Sequence, residues 1–144
     1  MTINEVQDQI VEEFEVFDNW MDKYEYLIEV SRSLPVIDEK DRKPEYVIEG
    51  CQSRVWLRAD MEGEKVVYTA DSDAVITKGI IALLIRVMSG RKPEEITGND
   101  LYFIDRIGLK ENLSPTRSNG LLSMIRQMKL YALAYQAKGK KNSE

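Results

Sequence analysis

Residues 54–59 alternate without a break: Val55, Leu57 and Ala59 point one way, Arg54, Trp56 and Arg58 the other. A period of two marks a half-buried strand, because successive side chains leave opposite faces of a pleated chain. A helix would scatter these residues around its axis, so the centre of the chain must build a sheet. Glu62-Gly63-Glu64 supplies a turn, and residues 65–69 pair back as a further strand. Ahead of them, Tyr46-Val47-Ile48 is short and β-favouring. The expectation is a small antiparallel meander of about three strands.

Helical patterns enclose this centre. In residues 2–16, Ile3, Val6, Ile10 and Phe14, with Phe17 just beyond, recur at helical spacing, and Thr2 or Asn4 can cap the start with Glu5 or Gln7 completing a capping box. Asp18-Asn19 starts a second helix carrying Trp20, Tyr24, Leu27 and Ile28, which should stop near Ser33 because Pro35 disfavours helix at Leu34. Residues 36–44 are charged and hold Pro44, and so read as an exposed connection. Residues 74–88 are apolar almost all round, the pattern of a buried central helix, and Asp71-Ser72-Asp73 looks like its N-cap cluster. Pro93 opens a single turn, and Asn99-Asp100 caps a short helix through Ile107 that Gly108 closes. A long last helix follows Ser114-Pro115, with Leu121, Met124, Ile125, Met128, Tyr131 and Tyr135 on one stripe. The reading is a single α+β domain over residues 1–144, several helices packed on one small sheet.

Charge and composition remove several function classes. A net charge of −5 opposes bulk attraction to nucleic acid, whose phosphates need clustered cations. The basic cluster Lys138, Lys140 and Lys141 lies in the last turn of the final helix, where cations complement the helix dipole. No run of 18 apolar residues exists to cross a bilayer, and Met1-Thr2-Ile3-Asn4-Glu5 lacks a secretion-signal pattern. With one cysteine and no histidine, imidazole-based catalysis and metal ligation both lose their main groups. A lone cysteine forms no internal disulfide, which fits a cytoplasmic location. Nothing calls for a self-interface, so the chain is expected to be a monomer. Asp71 and Asp73 read as caps rather than metal ligands, and Lys78 as a solvated or interface residue.

The cysteine, Cys51, sits at a polar tip, Gly50-Cys51-Gln52-Ser53, between strand-like runs. Gly50 allows a tight bend just before the sulfur. A structural cysteine is usually buried as a small hydrophobe, whereas this setting presents the sulfur. Without histidine, thiolate must be stabilised by Arg, Lys, a helix N-terminus or a partner, and Arg54 and Arg117 are the candidates. Arg117 begins the last helix, an end that prefers anions. The loop of residues 49–53 is therefore expected beside the start of that helix, with Arg117 tied to Asp73.

The run Gly50-Cys51-Gln52-Ser53 with Val55-Trp56 resembles the active loop of the SufE family, the sulfur acceptors of iron–sulfur cluster assembly. Asn19-Trp20, Lys23-Tyr24, Leu34-Pro35, Arg42, Asp71-Ser72-Asp73-Ala74, Lys78-Gly79, Ile81-Ala82, Leu113-Ser114-Pro115, Arg117-Ser118 and Gly120-Leu121 look like family positions in the family order. The resemblance covers roughly residues 19–128.

It implies a SufE/IscU-like fold and a SufS-like cysteine desulfurase as partner, with the pyridoxal phosphate on that enzyme and no cofactor here. Cys51 would accept sulfur as a persulfide and pass it to a SufBCD-like scaffold complex, with Gly50, Gln52, Ser53, Asp73 and Arg117 in support. The chain would then be a carrier and not an enzyme. A scaffold role needs several cysteine ligands and is excluded by count. A stand-alone thiol enzyme and a purely allosteric desulfurase adaptor stay open as alternatives. The loop is expected to shelter Cys51 against apolar neighbours when idle and release it on docking.

Overall fold

The computed structural model describes residues 1–51 and 53–142, and side chains as far as residue 139. Helices α1 (Ile3–Glu15) and α2 (Trp20–Val30) lead to a hairpin, β1 (Val55–Glu62) and β2 (Lys65–Ser72). There follow α3 (Val75–Met88), the short α4 (Pro93–Thr97), α5 (Phe103–Arg106) and α6 (Leu109–Asn112), and the long α7 (Pro115–Asn142). This is the expected mixed α+β architecture. The apolar core is continuous from Ile3 of α1 to Ala132 of α7. Among the described residues no helix is long and apolar enough to cross a membrane.

The alternation expected of β1 holds: Val55 and Leu57 are fully buried and Ala59 nearly so, while Trp56 and Arg58 stay half-exposed. The register pairs Glu62 with Lys65 and Val55 with Ser72 across a two-residue turn in which Gly63 has φ +62°. The sheet has two strands rather than about three. Pro44 starts a 3-10 turn through Tyr46, so only Val47 bridges Trp56, and Ile48 donates to the Val55 carbonyl at 2.8 Å. On the other edge Val36 bridges Ala70 in parallel. With Arg91 bridging Val66 as well, three single-residue bridges cover the two hairpin edges, which would otherwise be open to pairing with other chains. Residues 36–44 are consequently not simply an exposed connection: Ile37 is buried in the core and its N–H donates to the Ala70 carbonyl.

Helix α3 is the buried centre that its sequence required, packed on α1, α2, β2 and α7. Thr2 caps α1 with Glu5 in a full capping box, and Asn19 caps α2. The Asp71-Ser72-Asp73 expectation needs correction. Strand β2 runs on through Asp71 and Ser72, and the N-cap of α3 is Ala74, which has no capping side chain. The helix expected from Asn99-Asp100 also starts later, at Phe103, and Gly108, with φ +79°, turns the chain into α6. One tie the sequence did not suggest is Gln7, fully buried in α1. It accepts from the Phe103 N–H and donates to the Asp100 carbonyl, docking that short helix.

Helix α7 crosses the inner face of the hairpin. Tyr131 and Tyr135 donate to the Leu57 and Ala59 carbonyls at 3.3 and 2.9 Å, and buried Tyr68 of β2 donates to the Met128 carbonyl at 2.7 Å. These three bonds fasten the middle of α7 to the hairpin, and the helix runs from there back to the cysteine loop.

Candidate functional site

The loop carrying Cys51 is held at both hinges. On the N-terminal side the Ile48–Val55 hydrogen bond closes it. On the C-terminal side Asp73 takes the Arg54 N–H on its carboxylate at 3.1 Å, and its own N–H donates to the Arg54 carbonyl at 3.3 Å. Gly50 adopts φ +89°, a region that disfavours side-chain residues, and a Cβ there would meet Ser123 Oγ at 2.6 Å. Glycine is favoured by the bend, and any side chain there would also have to turn the Ser123 hydroxyl aside.

Cys51 is half-buried on the first turns of α7, its thiol donating toward the Gly120 carbonyl at 3.6 Å. The sulfur packs directly on Gly120, where a Cβ would sit 3.5 Å from it, an ordinary contact distance. The sulfur faces a crevice of about 20 Å³ lined by Ser53, by Thr77 and Ile80 of α3, and by Thr116, Arg117, Gly120 and Met124 of α7. Burial pushes the Cys51 thiol up from its ordinary pKa, because desolvation penalises the thiolate. The resting sulfur is therefore a protonated, sheltered thiol.

The expected supporting residues are partly brought together. Ser53 and Arg117 line the crevice, and the loop does lie beside the start of α7. The Arg117–Asp73 pair is not formed. Arg117 donates instead to the Tyr24 hydroxyl of α2, and Asp73 is used at the Arg54 backbone. Arg54 lines a separate depression with Arg42 and Trp56, away from the sulfur. Gln52 falls outside the described residues, as do the side chains of Lys140 and Lys141.

The ion cluster that the sequence did not disclose is centred on Asp71. Its carboxylate, almost fully buried, pairs with Arg42 and with Lys78 Nζ at 3.3 Å, and accepts the Ser72 N–H at 2.8 Å. Arg42 also stacks over Trp56. Lys78 is thus a structural counter-ion rather than a merely solvated residue. Changing Asp71→Asn should lower stability, because two cations are left facing each other around a neutral amide. Fully buried pairs lose about 3–5 kcal/mol when one partner goes. Here the Arg42 and Lys78 side chains are 33% and 36% exposed, so water takes up part of the charge. A loss of about 1–3 kcal/mol is expected, and an unchanged urea midpoint would show that the cluster is ornamental.

Among the described residues no group of three His, Cys, Asp or Glu side chains could hold a metal ion. What fold and site define is a helix-covered hairpin domain that presents one guarded thiol on a clamped loop. A model of the SufE family, described as an Fe-S metabolism associated domain, matches residues 8–132. An uncharacterized SufE-like protein of Rhizobium etli is 41% identical over 127 residues, 85% of this chain and 86% of that protein. SufE-like protein 1 of Arabidopsis thaliana, described as chloroplastic/mitochondrial, is 41% identical over 136 residues, 94% of this chain but 37% of that longer protein. The solution structure of a hypothetical protein from Thermus thermophilus superposes with a TM-score of 0.75 at 22% identity, covering 92% of this chain and 96% of that one, and shares the fold. The chain belongs to the SufE family, which associates it with iron–sulfur metabolism.

Proposed function

We propose that the protein is a sulfur carrier: Cys51 accepts sulfane sulfur from a pyridoxal-phosphate cysteine desulfurase and hands it to an iron–sulfur cluster scaffold complex. The observation that carries this reading is the placement of Cys51, half-buried on a loop clamped at both hinges, with its thiol on a backbone carbonyl. That arrangement suits a group that must be inert alone and reactive on docking. On the partner, the Cys51 thiolate attacks the terminal sulfur of the desulfurase persulfide. An S–S bond to Cys51 forms as the partner's S–S bond breaks, and the partner's cysteine leaves as thiolate and takes up a proton. The exchange is redox-neutral and repeats at the scaffold. Its rate follows thiolate fraction, leaving group and access, all of which docking would change together.

The reading gives this chain no cofactor of its own, since the desulfurase supplies the carbon–sulfur chemistry. It is a carrier and not an enzyme, and we place it as a monomer in the cytoplasm, where thiols stay reduced. Incubation with desulfurase and cysteine, followed by mass spectrometry, tests it: the carrier gains one sulfur atom at Cys51. If turnover rises while Cys51 never gains sulfur, the protein is an allosteric adaptor instead.

The sheltered thiol has its own pH signature. A raised thiol pKa means less thiolate at any given pH. Alkylation of the isolated protein should therefore climb with pH to a midpoint above the ~8.5 of an exposed cysteine. Adding the desulfurase should move labelling of accessible Cys51 to lower pH. A midpoint at or below that of a free thiol in the isolated protein would overturn the sheltered-loop mechanism.

A further inference from the structure

Thr77 lies in the first turn of α3, is 9% exposed, and lines the crevice that Cys51 faces. Among the described residues its hydroxyl has no hydrogen-bond partner, yet no side-chain polar atom is both sealed off and unpaired. The hydroxyl is therefore not sealed from solvent, and its residue is part of the crevice wall. Crevice size narrows what it can meet there. About 20 Å³ exceeds the ~10–15 Å³ that one water-sized body requires. One extra atom on the Cys51 sulfur fits a space of that size.

Electrostatics point the same way. Arg117 adds a cation to the crevice wall. A persulfide is a stronger acid than its parent thiol, so its terminal sulfur is anionic at neutral pH and accepts hydrogen bonds. The resting thiol, by contrast, is a weak donor and already points at the Gly120 carbonyl.

We propose that Thr77 is a positioning residue for the cargo: its hydroxyl donates to the terminal sulfur of a Cys51 persulfide and holds it in the crevice between α3 and α7. This rests on the carrier reading above. Thr77→Val keeps the shape and removes the donor, and Thr77→Ser restores it.

The test loads wild type, Thr77→Val and Thr77→Ser with inorganic polysulfide, which passes one sulfane sulfur to the thiolate and leaves as the shorter polysulfide. Persulfide persistence against dithiothreitol is then followed by intact mass across a pH series. In Thr77→Val the persulfide should disappear about tenfold faster, the size of one hydrogen bond to a charged group, and its reactivity midpoint should move to higher pH. Thr77→Ser should stay near wild type, and alkylation of the unloaded thiol should be the same in all three. Equal persistence in all three overturns the role of Thr77 and leaves the carrier reading intact. Where polysulfide does not load the sheltered thiol, the desulfurase and cysteine load it instead, and a wild-type Cys51 that takes up sulfur from neither source overturns both.

Discussion

Cys51→Ser should reduce sulfur uptake from the desulfurase to zero while leaving the protein folded. Oxygen for sulfur changes little in volume, and Cys51 is only half-buried, so its packing stabilises the loop weakly. A stability change within about 1 kcal/mol is expected, as for other substitutions that open no cavity and strand no charge. The hydroxyl can still reach the Gly120 carbonyl, so the loop keeps its resting contact. What disappears is the nucleophile: serine is not ionised at neutral pH without a base, and the sequence holds no histidine to act as one. Desulfurase turnover measured with the variant should fall to the rate of the desulfurase alone. Thermal melting in parallel separates lost chemistry from lost fold. Undiminished stimulation by a folded serine variant would refute the carrier reading and leave the adaptor.

The part of this site that could be read in advance is the part written locally. The alternation of Val55, Leu57 and Ala59 located the hairpin, and Gly50 before the cysteine located the bend, because both depend on neighbours along the chain. The same holds for the Thr2–Glu5 capping box. Asp71-Ser72-Asp73 shows where local reading fails. Three polar residues before an apolar helix look like a cap, but the ladder with β1 continues to Ser72. Backbone pairing claims Asp71 and Ser72, and a carboxylate buried at a strand end recruits Arg42 from a distant segment and Lys78 from the helix that follows.

Arg117 illustrates the same limit. Its position at an anion-preferring helix end suggested a carboxylate partner in Asp73, but nothing local distinguishes a carboxylate from the Tyr24 hydroxyl that it meets. Thr77 and Ile80 were invisible as site residues because a buried helix needs apolar and small side chains in any case. Gly120 gave a faint signal. Glycine in a helix forgoes about 1 kcal/mol relative to alanine, which draws the eye to that turn, and it is the turn on which the sulfur lies.

Gly79 makes the same sacrifice, and Gly79→Ala should be the most destabilising small substitution near the site. A Cβ at Gly79 would lie 2.3 Å from the Leu27 carbonyl oxygen and 2.9 Å from its carbon. Both are backbone atoms of α2, so no side-chain rotation relieves the overlap. Helix α2 would have to back away, drawing the fully buried Leu27 out of the core. Overpacking of this kind usually loses about 1–3 kcal/mol and sometimes more. Alanine returns about 1 kcal/mol of helix propensity. Rigid backbone contact puts the loss at the upper end, so a net destabilisation of about 2 kcal/mol is expected, or roughly 4–8 °C in melting temperature for a chain of this size. Gly120→Ala is the matched control. Its Cβ would meet Cys51 at 3.5–3.8 Å, ordinary contact distances, so the same propensity gain should leave stability unchanged or up to about 1 kcal/mol higher. Urea unfolding of the two variants beside the parent decides the matter. If Gly79→Ala proved as stable as the parent, the close crossing of α2 and α3 would not be what excludes a side chain at position 79.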